Sequence, residues 1–165
     1  MQVGSTRPLQ RFDDLGAGPG RFAGVEMLAA FHPRLSAYAG YRNIDQTCEQ
    51  TPCPSLGPRT TLQETGWVVG LESAFPARGA LTPTIRGGLT LHRLKGVDGD
   101  APPPGLGFEG GVGFEVALGT GFALAPRLRY ARWSSDPIAG FGSPTERIRV
   151  SQASITLGLI FRPYR

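Results

Sequence analysis

The sequence predicts an all-β chain of eight antiparallel strands. Three observations lead there. Apolar residues alternate with small or polar ones in stretch after stretch, while no window of about 11 residues or more keeps a 3.6-residue apolar period. Short and long connections take turns along the chain. A Gly-apolar-Glu step followed by an Arg recurs three times: Gly24-Val25-Glu26 with Arg42, Gly70-Leu71-Glu72 with Arg86, and Gly113-Phe114-Glu115 with Arg127 and Arg129.

Strands are expected near 2–12, 21–31, 35–45, 66–75, 80–94, 106–118, 122–133 and 147–162. The first is the weakest, because Arg7 and Pro8 interrupt it. The second and third flank the tight His32-Pro33-Arg34 turn and carry Glu26 and Arg42. In the fourth, Trp67, Val69, Leu71 and Phe75 alternate with Gly66, Gly70, Glu72 and Ala74. In the fifth, Leu81, Ile85, Leu89 and Leu91 alternate with Thr82, Thr84, Arg86, Gly88 and Thr90. The sixth sets Phe108, Val112, Phe114, Val116 and Leu118 against Glu109, Gly111, Gly113, Glu115 and Ala117. The seventh sets Phe122, Leu124, Leu128 and Tyr130 against Ala123, Ala125, Arg127 and Arg129. The eighth sets Ile155, Leu157, Leu159 and Phe161 against Ser154, Thr156, Gly158 and Ile160. Short turns fall at His32–Arg34, Pro76–Gly79 and Gly119–Gly121. Long polar segments span 13–20, 46–65, 95–105 and 134–145. An even strand count puts both termini on the short-turn side.

The chain has 165 residues, enough for one domain over 1–165. Its 24 glycines and 15 prolines are scattered between strands and do not form a disordered tract. The formal charge is +4, but no basic run is interleaved with aromatics, which argues against nucleic acid as a partner. No stretch approaches the ~20 apolar residues of a spanning helix. The first twenty residues lack the apolar region of a secretory leader, so the chain reads either as cytosolic or as a mature form whose leader is gone. Cys48 and Cys53 sit in the polar segment "CEQTPC". A disulfide between them would point to an oxidising compartment; two free thiols or half a metal site are the alternatives. The histidines, His32 and His92, are remote from them in sequence, and no metal or cofactor is expected.

The stretches "GFEGGVGFEVALGTGFALAPRLRYARW" and "SITLGLIFRPYR" carry a resemblance to the eight-stranded outer-membrane β-barrels of Gram-negative bacteria, in the broad group related to OmpA and OmpX. The pattern extends over Arg21 to Arg165. It implies an antiparallel up-and-down transmembrane barrel in the cell outer membrane, with short turns at one end and longer loops at the other. Members of that group usually end in an aromatic residue. Here Phe161 lies four residues early and the chain closes on Tyr164-Arg165. No catalytic motif comes with the resemblance.

Physical chemistry supports the same reading. A sheet that crosses lipid must close, because lipid cannot satisfy an open edge. The aromatics sort into two girdles. Phe31, Phe75, Phe122, Phe161 and Tyr164 lie beside the short turns; Tyr41, Trp67, Phe108, Tyr130 and Trp133 lie toward the long loops. The face opposite the apolar one is rich in Gly and Ala, which suits a narrow interior better than a solvent face. Lys95 is the only lysine. The alternative is a soluble barrel of the lipocalin type, carrying a small apolar ligand, with the apolar face turned inward.

The repeated acids and bases then fall on the inner face. A network of Glu26, Arg42, Glu72, Arg86, Glu115, Arg127 and Arg129 is expected, each Glu meeting the Arg across its own hairpin, with Glu109 and His92 extending it toward the loops. Eight strands leave room for side chains alone, so the network reads as a plug. An enzymatic reading would need a Ser–His–acid set drawn from Ser134, Ser135, His92, Asp98 and Asp136, for which no nucleophile motif exists. The expected function is therefore non-enzymatic: a structural or adhesive barrel in contact with outer-membrane lipid. Its long loops, above all 46–65, are where a protein or surface ligand would dock.

Overall fold

The computed structural model describes residues 2–8, 17–48, 61–76, 79–95, 103–119, 121–135 and 148–161. They form eight strands: β1 (Gln2–Pro8), β2 (Ala17–His32), β3 (Leu35–Cys48), β4 (Thr61–Ala74), β5 (Leu81–Lys95), β6 (Gly105–Gly119), β7 (Phe122–Ser135) and β8 (Ile148–Phe161). Each pairs antiparallel with the next, and β1 also pairs with β8, so the sheet closes into an up-and-down barrel.

The stagger of the closed sheet follows from the register. From Thr84 the pairing runs through Gly113, Arg127, Thr156, Gly4, Phe22, Ile44 and Glu64 and returns to β5 at Leu94, ten residues nearer the loops. Ten residues of stagger over eight strands tilts the strands by about 40°.

Several strands outrun their expected ends on the loop side. β3 continues to Cys48 and β4 begins at Thr61, inside the segment read from sequence as a long connection. Their 14 residues exceed the ~9–11 that a tilted strand needs to cross lipid. Ladder pairing goes on above the membrane, where hydropathy no longer marks it. The described part of β1 is Gln2–Pro8, and the remainder of the strand expected over 2–12 lies outside the described residues.

The turn end is compact. Pro33 and Arg34 alone join β2 to β3, and the Arg34 N–H donates to His32 Nδ1 at 3.3 Å. Gly79 (φ 66°) and Gly121 (φ 87°) supply left-handed residues in the other two turns. The Cys48–Cys53 pair lies outside the described residues, since Cys53 falls between β3 and β4.

The barrel is inside-out relative to a soluble one. Its outer wall exposes Val25, Met27, Val69, Leu71, Ile85, Leu89, Val112, Leu128, Ile155 and Leu157, with Met27 at 77% and Ile155 at 71%. Its interior buries arginines, glutamates, threonines and a histidine. A lipocalin-type carrier has the opposite polarity, with an apolar cavity inside. Aromatics bound the outer wall at both ends. Toward the loops, Tyr41 and Trp67 meet edge-on at 5.0 Å, and Phe108 lies 6.5 Å from Tyr130. At the turn end, Phe122 and Phe161 are register partners at 4.9 Å, with Phe31 and Phe75 at the same end. Trp67 of β4 and Phe75, the residue just past its end, lie eight residues apart, about 20 Å of height at this tilt.

Trp133 departs from the expected loop-side girdle. It is 2% exposed and stacks on His92 inside the barrel, with ring centroids 5.2 Å apart and planes 7° apart. It shares parity with Arg127 and Arg129 on β7, so the pleat that turns those arginines inward turns the indole inward too. Gly105 makes room for it on β6: a Cβ there would sit 2.9 Å from the indole Cε3.

Candidate functional site

The polar interior is built in tiers. Nearest the turns, Arg127 of β7 donates to Glu72 of β4 at 3.1 Å and stands 3.9 Å from Glu115 of β6. Above it, Arg86 of β5 donates through both terminal nitrogens to Glu26 of β2, each at 2.8 Å. That guanidinium also lies 3.6 Å over the Tyr38 ring. Next comes Glu109 of β6, which accepts from Tyr38 Oη at 2.7 Å, from Arg129 Nη2 at 2.6 Å, and from both terminal nitrogens of Arg42, the second at 3.1 Å. At the loop side, Glu64 of β4 faces His92 Nδ1 at 2.5 Å and accepts from Gln152 Nε2 at 2.5 Å.

Glycines make this packing possible by leaving floor space for long side chains. A Cβ at Gly70 or Gly88 would stand 2.6 Å from the Tyr38 hydroxyl, and one at Gly66 would stand 2.7 Å from His92 Nδ1. The Gly-rich inner face read from the sequence is therefore where Tyr38, His92 and the arginines lie down.

Each residue of the expected network has its side chain in the interior, but the partners differ from those expected. Glu72 and Arg86 are directly opposite in the register, yet 3.6 Å apart. Glu26 is opposite Gly40, one diagonal from Arg42, at 3.6 Å. Short contacts link different hairpins, Arg86 to Glu26 at 2.8 Å and Arg127 to Glu72 at 3.1 Å, while Arg129 meets Glu109, not Glu115, within the β6–β7 hairpin at 2.6 Å. Arginine is long enough to span a narrow lumen, and bidentate geometry favours a carboxylate met head-on over one met side-on in the next strand.

Sequence reasoning missed Glu64, Gln152 and the inward Tyr38. Glu64 lay in what read as a loop. Continuing the β4 alternation backwards from Glu72 through Gly70, Val68 and Gly66 would have found it. Several buried polar atoms here have no partner among the described residues, including His92 Nε2 and Trp133 Nε1. Between the Glu109 tier and the Glu64 tier lies a cavity of about 10 Å³, lined by Phe22, Arg42, His92, Glu109, Arg129 and Gln152. It has room for roughly one water molecule.

Of the residues weighed for a catalytic set, Asp98 and Asp136 lie outside the described residues, as does the side chain of Ser135. Ser134 takes the parity opposite to the inward Trp133, so it sits on the outer face, while His92 is buried inside. Among the described residues, no group of three or more His, Cys, Asp or Glu could hold a metal ion.

The architecture has solved counterparts. Neisserial surface protein A superposes with a TM-score of 0.70 at 13% identity, covering 97% of this chain and 91% of that one. The fold is that of a small outer-membrane β-barrel. The outer membrane protein OprG from Pseudomonas aeruginosa aligns with a TM-score of 0.57 at 12% identity, over 97% of this chain and 93% of that one. A third match, the outer membrane enzyme PagL, is too distant at a TM-score of 0.48 to bear on this chain. No family model and no curated protein matches the sequence. In this outer-membrane-type barrel, the apolar band faces lipid and the ion-paired tiers occupy the axis.

Proposed function

We propose that this chain is a non-enzymatic integral barrel of the outer membrane. Its lumen is stopped by its own ion pairs, and its role, structural or adhesive, is exercised by the long connections at one end. The observation that carries the reading is the set of contacts on Glu109. Side chains from β3 and β7 converge on this one carboxylate of β6. A buried carboxylate held by two guanidiniums and a phenol is costly to strip, so a standing aqueous path through it is disfavoured. The one-water cavity above it supports the same reading.

The non-enzymatic part is supported by Ser134 and His92 lying on opposite faces of the wall, beyond mutual hydrogen-bond reach. Outer-membrane lipid is the partner of the apolar band. A protein or surface ligand is the partner of the long connections, with 49–60 between β3 and β4 among the longest.

Planar-bilayer recording tests the plug. The purified chain is expected to give no steady current, or only rare brief events. A large, steady, ion-selective conductance would overturn the closed-lumen reading while leaving the barrel intact. Comparing the mass of lipid A before and after incubation with the protein tests the non-enzymatic reading, and no change is expected.

A further inference from the structure

The described residues place their exposed charges in an uneven way. None lies on the outer wall between the aromatic belts. At the turn end there are His32 and Arg34. At the loop end there are Arg21, Arg93, Lys95, Arg132 and Arg149, against one carboxylate, Asp45. Asp45 is the register partner of Arg21, so it answers that arginine. On β7 and β8 no described carboxylate stands beside the other two. Arg132 pairs with Phe108 and Ser151, and Arg149 pairs with Ser134. The two arginines are therefore diagonal neighbours on one outer face, with the partly exposed Ser134 and the buried Ser151 at the other two register positions. Arg132 lies one outward position above Tyr130 of the aromatic belt.

Position and charge together specify what such a collar meets. Cations just beyond an aromatic belt lie at headgroup depth, and arginine stems follow apolar surface while the guanidinium reaches polar atoms. Two exposed arginines at diagonal register positions, with the partly exposed Ser134 beside them, offer donors suited to the oxygens of a phosphate. Among the described residues the opposite end offers only His32 and Arg34, so the described charge favours the leaflet at the loop end. We propose that this collar, centred on Arg132 and Arg149, binds the phosphate groups of lipid headgroups in the leaflet at the loop end. The proposal rests on the reading of the chain as a membrane barrel.

The test is a titration of fluorescent diphosphoryl lipid A into the full chain held in a neutral detergent. The variants are Arg132→Gln/Arg149→Gln and, as a control, Arg34→Gln. Heat-dependent mobility in SDS reports barrel folding separately, so loss of the barrel and loss of the collar are distinguishable. The wild-type chain should bind saturably, and more weakly as salt rises. The double variant should bind at least about tenfold more weakly, while Arg34→Gln stays near wild type. Dephosphorylated lipid A should bind the wild-type chain weakly, a comparison that needs no variant to fold. Millimolar inorganic phosphate should not displace the lipid. Equal binding by the wild type and the folded double variant would overturn the proposal, as would equal binding of the dephosphorylated lipid. Displacement by inorganic phosphate would reassign the collar to free phosphate.

Discussion

Arg86 grips Glu26 across the barrel with two 2.8 Å hydrogen bonds, although Glu72 is the acid directly opposite it in the sheet. Two strands, β3 and β4, lie between β2 and β5, so this pair ties one side of the wall to another. Breaking it leaves a carboxylate in a poorly solvated interior. Arg86→Ala is expected to cost about 3–5 kcal/mol of folding stability. Arg86→Met combined with Glu26→Leu should recover much of that, because the carboxylate that lost its bidentate partner is then gone. Urea titration in detergent micelles, followed by gel mobility, measures both. Equal stability of Arg86→Ala and wild type would show that the pair is not a structural tie.

The placement of Trp133 is open to direct optical test, because the chain has only two tryptophans. In a Trp67→Phe variant the remaining indole is enclosed against His92. It should resist both acrylamide and lipids carrying a quencher. In a Trp133→Phe variant the remaining Trp67 is 62% exposed on the outer wall, and a quencher near the headgroups should reach it readily. Strong lipid quenching of Trp133 would return it to the outer girdle.

Depth along the outer wall should set the cost of a charge. Val69→Arg, between the belts, is expected to destabilise the barrel by about 2–4 kcal/mol, and Thr65→Arg, near the loop end, by about 0–1 kcal/mol. Unfolding in lipid vesicles distinguishes them. Similar costs at both positions would contradict the assignment of the belts.

Gly66 is predicted to be a packing position for His92. A Cβ there would fall 2.7–3.1 Å from three atoms of the imidazole. Gly66→Ala should destabilise the barrel by about 1–3 kcal/mol, and the penalty should shrink when His92→Ala is added. An unchanged penalty in that background would place the strain in the backbone and not against the ring.

Much of the fold was legible from local pattern. Period-two alternation separates two faces on each strand, and lipid inverts what those faces mean. That was enough for the strand count, the end at which the turns lie, and the inward parity of Glu26, Glu72, Glu109, Glu115 and the four arginines. Hydropathy failed where the ladder leaves the membrane. β4 starts at Thr61 and brings Glu64 inside because backbone pairing continues after the apolar signal has stopped.

By itself the sequence determined that charges would line an interior, because alternation is a property of each strand alone. Only the tertiary structure decided which charge meets which. That choice depends on closure and on the ten-residue stagger, which set opposite walls at particular heights. Neither quantity is written in any one strand. A guanidinium that could pair with its hairpin neighbour instead reaches the carboxylate the stagger sets across the lumen, and Trp133 goes inside because glycines on β6 leave it room.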